Sequence, residues 1–299
     1  MNSITLEKWS DVVLPIPARY RAVITRDHKI LFHETDMTPF INQDQRTFRE
    51  DFMMYQFDGD NIISIVIKDM PFPPTHFDTF TDGTLLLASA RCVRTDDWIQ
   101  KNAGRYSLDG ECLYKFVLGD GISAVAIDDE DTIWAGYYEE GVYGNYGWDE
   151  PIGSSGLVAF SSKGEVLFRP HLPMINELYY LNIQKANSIF AYYSLFSAII
   201  HLDHFGRVQH SEIEEVMEVG PITIINESLI TYDYHSKLLW SLKKQEGVYK
   251  KDKAFALKDQ EGNDLYSEES AIRIRGNWLF VLNDSGIYRV ELTMRMLEE

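Results

Sequence analysis

Aromatic and acidic side chains crowd one stretch of the chain, AGYYEEGVYGNYGWDEPIGSSG, from Ala135 to Gly156. Tyr137, Tyr138, Tyr143, Tyr146 and Trp148 alternate there with Glu139, Glu140, Asn145, Asp149 and Glu150. Ring faces offer apolar area and a negative quadrupole, and carboxylates add full charge. Together they suit a sugar, a cation or a peptide with a basic residue. The glycines and Pro151 give the stretch tight turns. The competing reading is an Ω-like loop whose aromatics pack on one another. Arg91, in another long loop, and His76, which follows the sequence PFPPT, complete the candidate ligand-binding set.

Other constellations carry less chemistry. His201-Leu202-Asp203-His204 has a metal-like spacing. On a strand, however, His201 and Asp203 share one face while His204 falls in a turn, so three ligands do not converge. Asp128-Asp129-Glu130-Asp131 looks like a calcium-binding run but lacks the spaced ligands and closing Glu of an EF-hand; it reads as a solvated turn. Arg91, Arg94, Asp96 and Asp97 are expected to pair among themselves. Gly153-Ser154-Ser155-Gly156 is a flexible turn, and no nucleophile elbow or Walker loop occurs. The sequence therefore names no catalytic residue, no metal ligand and no cofactor.

These residues need elements to hold them, and the elements repeat. A polar turn followed by an apolar strand recurs as DHKILFHE, DGTLLLAS, EDTIWAGY, ANSIFAYY, NESLITYD and RGNWLFVL. Lys29, Thr84, Thr132, Ser188, Ser228 and Asn277 align at spacings of 40 to 56 residues. A period of this size marks a propeller or solenoid. Hairpins follow around Gly59, Gly110, Gly164 and Gly206, where glycine supplies the positive φ of a tight turn. A further strand precedes each polar turn: RAVIT, HFDTF, SAVAI, YYLNI, PITII and AIRIR. Each unit is thus a meander of up to four antiparallel strands, the form of a propeller blade. The expectation is an all-β chain: a six-bladed β-propeller of four-stranded antiparallel blades in a single domain, residues 1–299. No amphipathic helix of twelve or more residues is visible.

The last unit is one strand short. SITLEKW near the N-terminus is expected to supply it and close the ring, with TMRMLEE as the competitor. Three connections between second and third strands are long: Glu34–Asp51, Arg91–Gly104 and Tyr138–Gly156. They fall in successive blades and on one face, which places a raised rim over half of the channel.

Of 299 residues, 45% are hydrophobic and 13% aromatic, ample for a core. The net charge of −18 opposes phosphate backbones and anionic lipid, so neither nucleic acid nor membrane is an expected partner. No signal peptide or spanning segment is read. Cys92 and Cys112 are too few for a disulfide framework and fit a reducing, cytoplasmic setting; they flank one hairpin, and the favoured reading is two small buried apolar side chains rather than a contact pair.

The segment GDGISAVAIDDEDTIWAGYYEEGVYGNYG, Gly119–Gly147, followed by PIGSSGLVAF, resembles a group of bacterial propeller proteins of unassigned function. Its DEDTIWAG portion is similar to the repeats of sensor-kinase propellers and gluconolactonase-like enzymes. The latter likeness implies a divalent metal at the channel mouth held by Glu, Asn and Asp, a set that this sequence does not present in full. The expectation is a non-catalytic propeller that binds an unknown protein, peptide or small molecule on the long-loop face without a cofactor. The alternative is a metal-dependent hydrolase or lactonase using Glu139, Glu140 and Asp149.

Overall fold

The computed structural model describes residues 2–35, 47–145, 147–172, 176–186, 188–194, 197–203, 207–214 and 217–298. Two short strands, β1 (Asn2–Thr5) and β2 (Glu7–Ser10), lead into helix α1 (Ile16–Arg21). Four-strand meanders follow. The first is β3 (Val23–Ile24), β4 (Ile30–Phe32), β5 (Glu50–Phe57) and β6 (Ile62–Met70). The second is β7 (His76–Thr79), β8 (Leu85–Ala88), β11 (Ala103–Tyr106) and β12 (Cys112–Phe116), with a hairpin of β9 (Arg94–Thr95) and β10 (Trp98–Ile99) inserted. The third is β13 (Ile122–Ile127), β14 (Ile133–Tyr137), β15 (Leu157–Phe160) and β16 (Val166–Phe168), with helix α2 (Glu139–Tyr143) in its long loop.

The fourth comprises β17 (Leu178–Lys185), β18 (Ser188–Tyr193), β19 (Ala198–Asp203) and β20 (Arg207–Ile213). The fifth comprises β21 (Val219–Ile225), β22 (Ser228–Asp233), β23 (Leu238–Gln245) and β24 (Val248–Lys258). These two share one nine-stranded sheet, because the long outer strands β20 and β24 meet in parallel at Glu212↔Val248 and Ile213↔Tyr249. The last set is β25 (Ala271–Arg275), β26 (Trp278–Asn283) and β27 (Gly286–Glu291).

The chain is all-β in this propeller arrangement. The first strands of the meanders contact one another in chain order, and β25 contacts β3, so they surround a central channel. Buried side chains gather where consecutive meanders face each other. Leu31, Phe52, Phe77 and Leu87 fill the junction of the first and second; Ile225, Leu239, Ile272 and Leu279 fill that of the fifth and sixth. A sheet packed on both faces buries every residue of its second strand. That is why LLLA of β8 and IWAGY of β14 read as unbroken apolar runs. The outer strand β12 is exposed at four of its five residues.

The ring closes through the N-terminus. β2 pairs antiparallel with β27, Lys8 opposite Tyr288, and completes the sixth meander. The tail from Met294 to Glu298 forms helix α3 instead of a strand. β1 does more than the sequence suggested: it adds in parallel to β24, Ile4 opposite Leu257, so one nine-residue segment joins two neighbouring sheets. The first long loop falls largely within residues 36–46, outside the described residues, as do Tyr146, His204 and Gly206. No described helix is long and apolar enough to cross a membrane.

Candidate functional site

The aromatic loop folds back on itself. Tyr137 ends β14 fully buried, and its hydroxyl donates to the Leu118 carbonyl at 2.5 Å. Trp148 is 2% exposed; its indole N–H donates to the Cys92 carbonyl at 2.7 Å, and Arg94 covers its ring at 5.0 Å. Two glycines allow this. A Cβ on Gly141 would stand 2.5 Å from the Asp120 carbonyl oxygen, and one on Gly153 would stand 2.4 Å from the Tyr137 ring. Of the rings assigned to ligand binding, Tyr137 and Trp148 are therefore packing residues, with neither ring face open. Tyr143, at the end of α2, is 64% exposed, and Asp149 is exposed as well. Trp148→Ala is expected to cost about 3–5 kcal/mol, as large aromatic truncations do, and denaturant unfolding measures it.

Arg91 does not pair within its own loop as expected. It reaches Asp120 at 3.0 Å, the Tyr138 hydroxyl at 2.8 Å and Glu140 at 3.6 Å. Burial raises the Asp120 carboxyl above the usual carboxylate range, while the Cys92 N–H and Arg91 pull it down. Arg91, Tyr138 and Glu140 thus clamp the second long loop to the third. Glu139 lies beside them on α2, and Asn145 is half-buried just beyond that helix. Cys92 is buried in the loop after β8, whereas Cys112 is exposed where the outer strand β12 begins; both are free thiols, and Cys112 is not the buried side chain expected. In the acidic turn, the Asp128 carboxylate accepts from the N–H groups of Glu130 and Thr132 and from the Trp134 indole. It is a turn cap, as its repeat position implies.

The mouth of the channel is a cavity of about 370 Å³ bounded by the entrances of the inner strands. His76 begins β7 there, with Nδ1 2.9 Å from the Thr75 hydroxyl, and burial lowers its pKa. The buried hydroxyl of Ser123 lines the same cavity without a hydrogen-bond partner. Tyrosines that composition did not single out supply the rim. Tyr20 and Tyr179 are each 50% exposed, Tyr180 lines the cavity with them, and an adjoining depression adds Tyr234 and Glu218.

Arg273 stands among these rings. Its Nε donates to the Ala22 carbonyl at 2.9 Å and Nη2 to those of Arg19 and Tyr20 at 3.2 and 2.7 Å. A cation at a helix C-terminus satisfies carbonyls that have no partner within the helix. This clasp presents Tyr20, whose hydroxyl is held by the Glu268 carbonyl at 2.7 Å. Burial pushes the Tyr180 and Tyr234 phenols up against the pull of Arg273, so both remain protonated donors. Among the described residues, no carboxylate forms an ion pair with Arg273, and no three His, Cys, Asp or Glu side chains are grouped to hold a metal.

Deeper in the channel, polar side chains link the inner strands. Asp78 of β7 meets Arg275 of β25 at 3.2 Å, and Arg275 also donates to the Ile127 carbonyl of β13. The Asn182 amide on β17 spans to the Ile222 and Gly276 carbonyls at 2.8 and 2.9 Å. Hydrogen bonds across the channel thus hold the inner strands in fixed positions beneath the tyrosine rim.

No family model matches the chain, and no curated protein sequence matches it. Solved structures do resemble it. Virginiamycin B lyase from Staphylococcus aureus superposes with a TM-score of 0.55 at 11% identity, covering 91% of this chain and 79% of that one. A PQQ-bound aldose sugar dehydrogenase from Streptomyces coelicolor gives 0.53 at 11%, covering 96% and 98%. A putative 6-phosphogluconolactonase from Bacteroides uniformis gives 0.51 at 11%, covering 89% and 78%. At such identities the likeness is one of fold alone, and the fold is a propeller.

Proposed function

We propose that residues 1–299 form one six-bladed propeller, the nine-stranded sheet counting as two blades, that binds a small polar ligand at its channel mouth without transforming it. The observation that carries this reading is the tyrosine rim: Tyr20 and Tyr179 half exposed over a cavity of about 370 Å³, with Arg273 fixed beside them. Rigid rings supply stacking area at low entropic cost, the half-exposed Tyr179 phenol can orient polar groups, and Arg273 holds the rim in place through the α1 carbonyls. A carbohydrate or a short peptide has the matching chemistry. The long-loop face then acts as a wall beside the mouth, clamped by Arg91.

Metal-dependent hydrolysis finds less support. Glu140 is engaged by Arg91, and Asp149 stands exposed in the loop. A catalytic reading rests instead on His76, an imidazole in the same cavity as the orphan Ser123 hydroxyl.

Thermal-shift screening with oligosaccharides and short peptides tests the proposal. A ligand that stabilises the native protein is expected to bind at least about tenfold more weakly to a Tyr20→Ala/Tyr179→Ala variant with unchanged melting temperature. Loss of binding on Tyr143→Ala but not in that variant moves the site to the loop. Conversion of the ligand by the native protein, abolished by His76→Ala, makes the protein an enzyme.

A further inference from the structure

At the other end of the channel, the inner strands finish in a second cavity of about 220 Å³. Arg26 from the turn after β3, Lys185 from the end of β17 and Arg275 from the end of β25 line it, with the Gln184 amide alongside. On a chain with a net charge of −18, three cations around one small cavity run against the average. Only one carboxylate, Glu291, lines it with them.

Two of these cations lack a carboxylate partner among the described residues. Arg26 donates Nη1 to the Asp128 carbonyl at 3.3 Å and acts on buried Asp78 only through its field, and neither Arg26 nor Lys185 forms an ion pair. Arg275 has Asp78, but only Nη2 is used, and its buried Nε has no hydrogen-bond partner. A guanidinium in native proteins rarely leaves a buried donor unmade. His28, whose pKa burial and Arg289 lower, lines the cavity as well.

We infer that this lower cavity is a binding site for a small oxyanion, a phosphate or carboxylate group, held by Arg26, Lys185 and Arg275. Guanidinium and ammonium groups make charge-assisted hydrogen bonds to such anions, and Arg275, with Nη2 held by Asp78 and Ile127, adds its charge and its remaining donors. The site lies at the opposite end of the channel from the tyrosine rim and does not depend on what binds there.

The probes are inorganic phosphate and acetate, titrated by calorimetry and thermal shift against sodium chloride of equal ionic strength. Saturable stabilisation by at least one is expected, and the more effective of the two identifies the group that is read. Arg26→Ala/Lys185→Ala, which alters two side chains outside the core, is expected to weaken that binding at least about tenfold. Tyr20→Ala/Tyr179→Ala is expected to leave it unchanged. Neither anion exceeding the chloride control, or equal affinity in the Arg26/Lys185 variant, overturns the inference.

Discussion

Removing residues 2–10 is expected to abolish the cooperative thermal transition and drive the chain into aggregates. The segment closes the last sheet as β2 and caps the fifth outer strand as β1, so its loss uncovers two strand edges at once. It also empties the core between the fifth and sixth sheets of Ile4 and Leu6, 2% and 0% exposed. Trp9 leaves its place 5.1 Å from Phe57 and 5.9 Å from Phe280 at the next junction. Each large apolar truncation costs about 2–5 kcal/mol, so three together reach the whole stability of an ordinary domain, about 5–15 kcal/mol. Leu6→Ala isolates one part and is expected to lower the denaturation midpoint by about 2–5 kcal/mol of stability without changing the slope. A truncated chain that melts cooperatively within a few degrees of the full one would mean that the ring does not need this closure.

That closure was legible by counting. The last repeat had three strands, and two segments near the chain ends, SITLEKW and TMRMLEE, were unused; the first alternates as a strand and takes the place, while the second forms α3. The second strands were equally legible: a sheet covered on both faces demands uninterrupted apolar residues, and TLLLAS and TIWAGY supply them. The direction of the loop aromatics was not. Tyr137 and Trp148 turn inward because acceptors at Leu118 and Cys92 and close approaches at Gly141 and Gly153 await them. None of those partners is visible in the spacing of the rings. The tyrosine rim was hidden differently. Tyr20, Tyr179, Tyr234 and Arg273 come from four distant segments, and only the ring of inner strands brings them to one mouth. A signal did exist in AIRIR, an inner strand that carries two arginines among its apolar residues. Helix α1 escaped notice because six residues are too few to show a period; LPIPARY signals it only through a proline at its first turn.

Asp78→Ala is expected to be the most damaging single substitution in the channel, although Asp78 touches no surface. Asp78 is fully buried and Arg275 nearly so. The carboxylate also accepts the N–H of Ile127 at 2.7 Å and of Thr79 at 2.8 Å, so one residue ties β7 to both β13 and β25. Truncation leaves a buried guanidinium without its counter-charge, which costs about 3–5 kcal/mol, and strands two backbone donors. In a chain of this size that is a fall in melting temperature on the order of 10 °C. Asp78→Asn keeps an acceptor for the backbone and is expected to lose less. The pair itself is a separate matter, because two charges brought together out of water repay their desolvation only in part. Arg275→Met in the Asp78→Ala background removes the stranded cation and is expected to recover part of the loss, so the double variant should be more stable than Asp78→Ala alone. A double variant as unstable as the sum of the two single ones would mean that Asp78 acts through the backbone of β13 and not through Arg275.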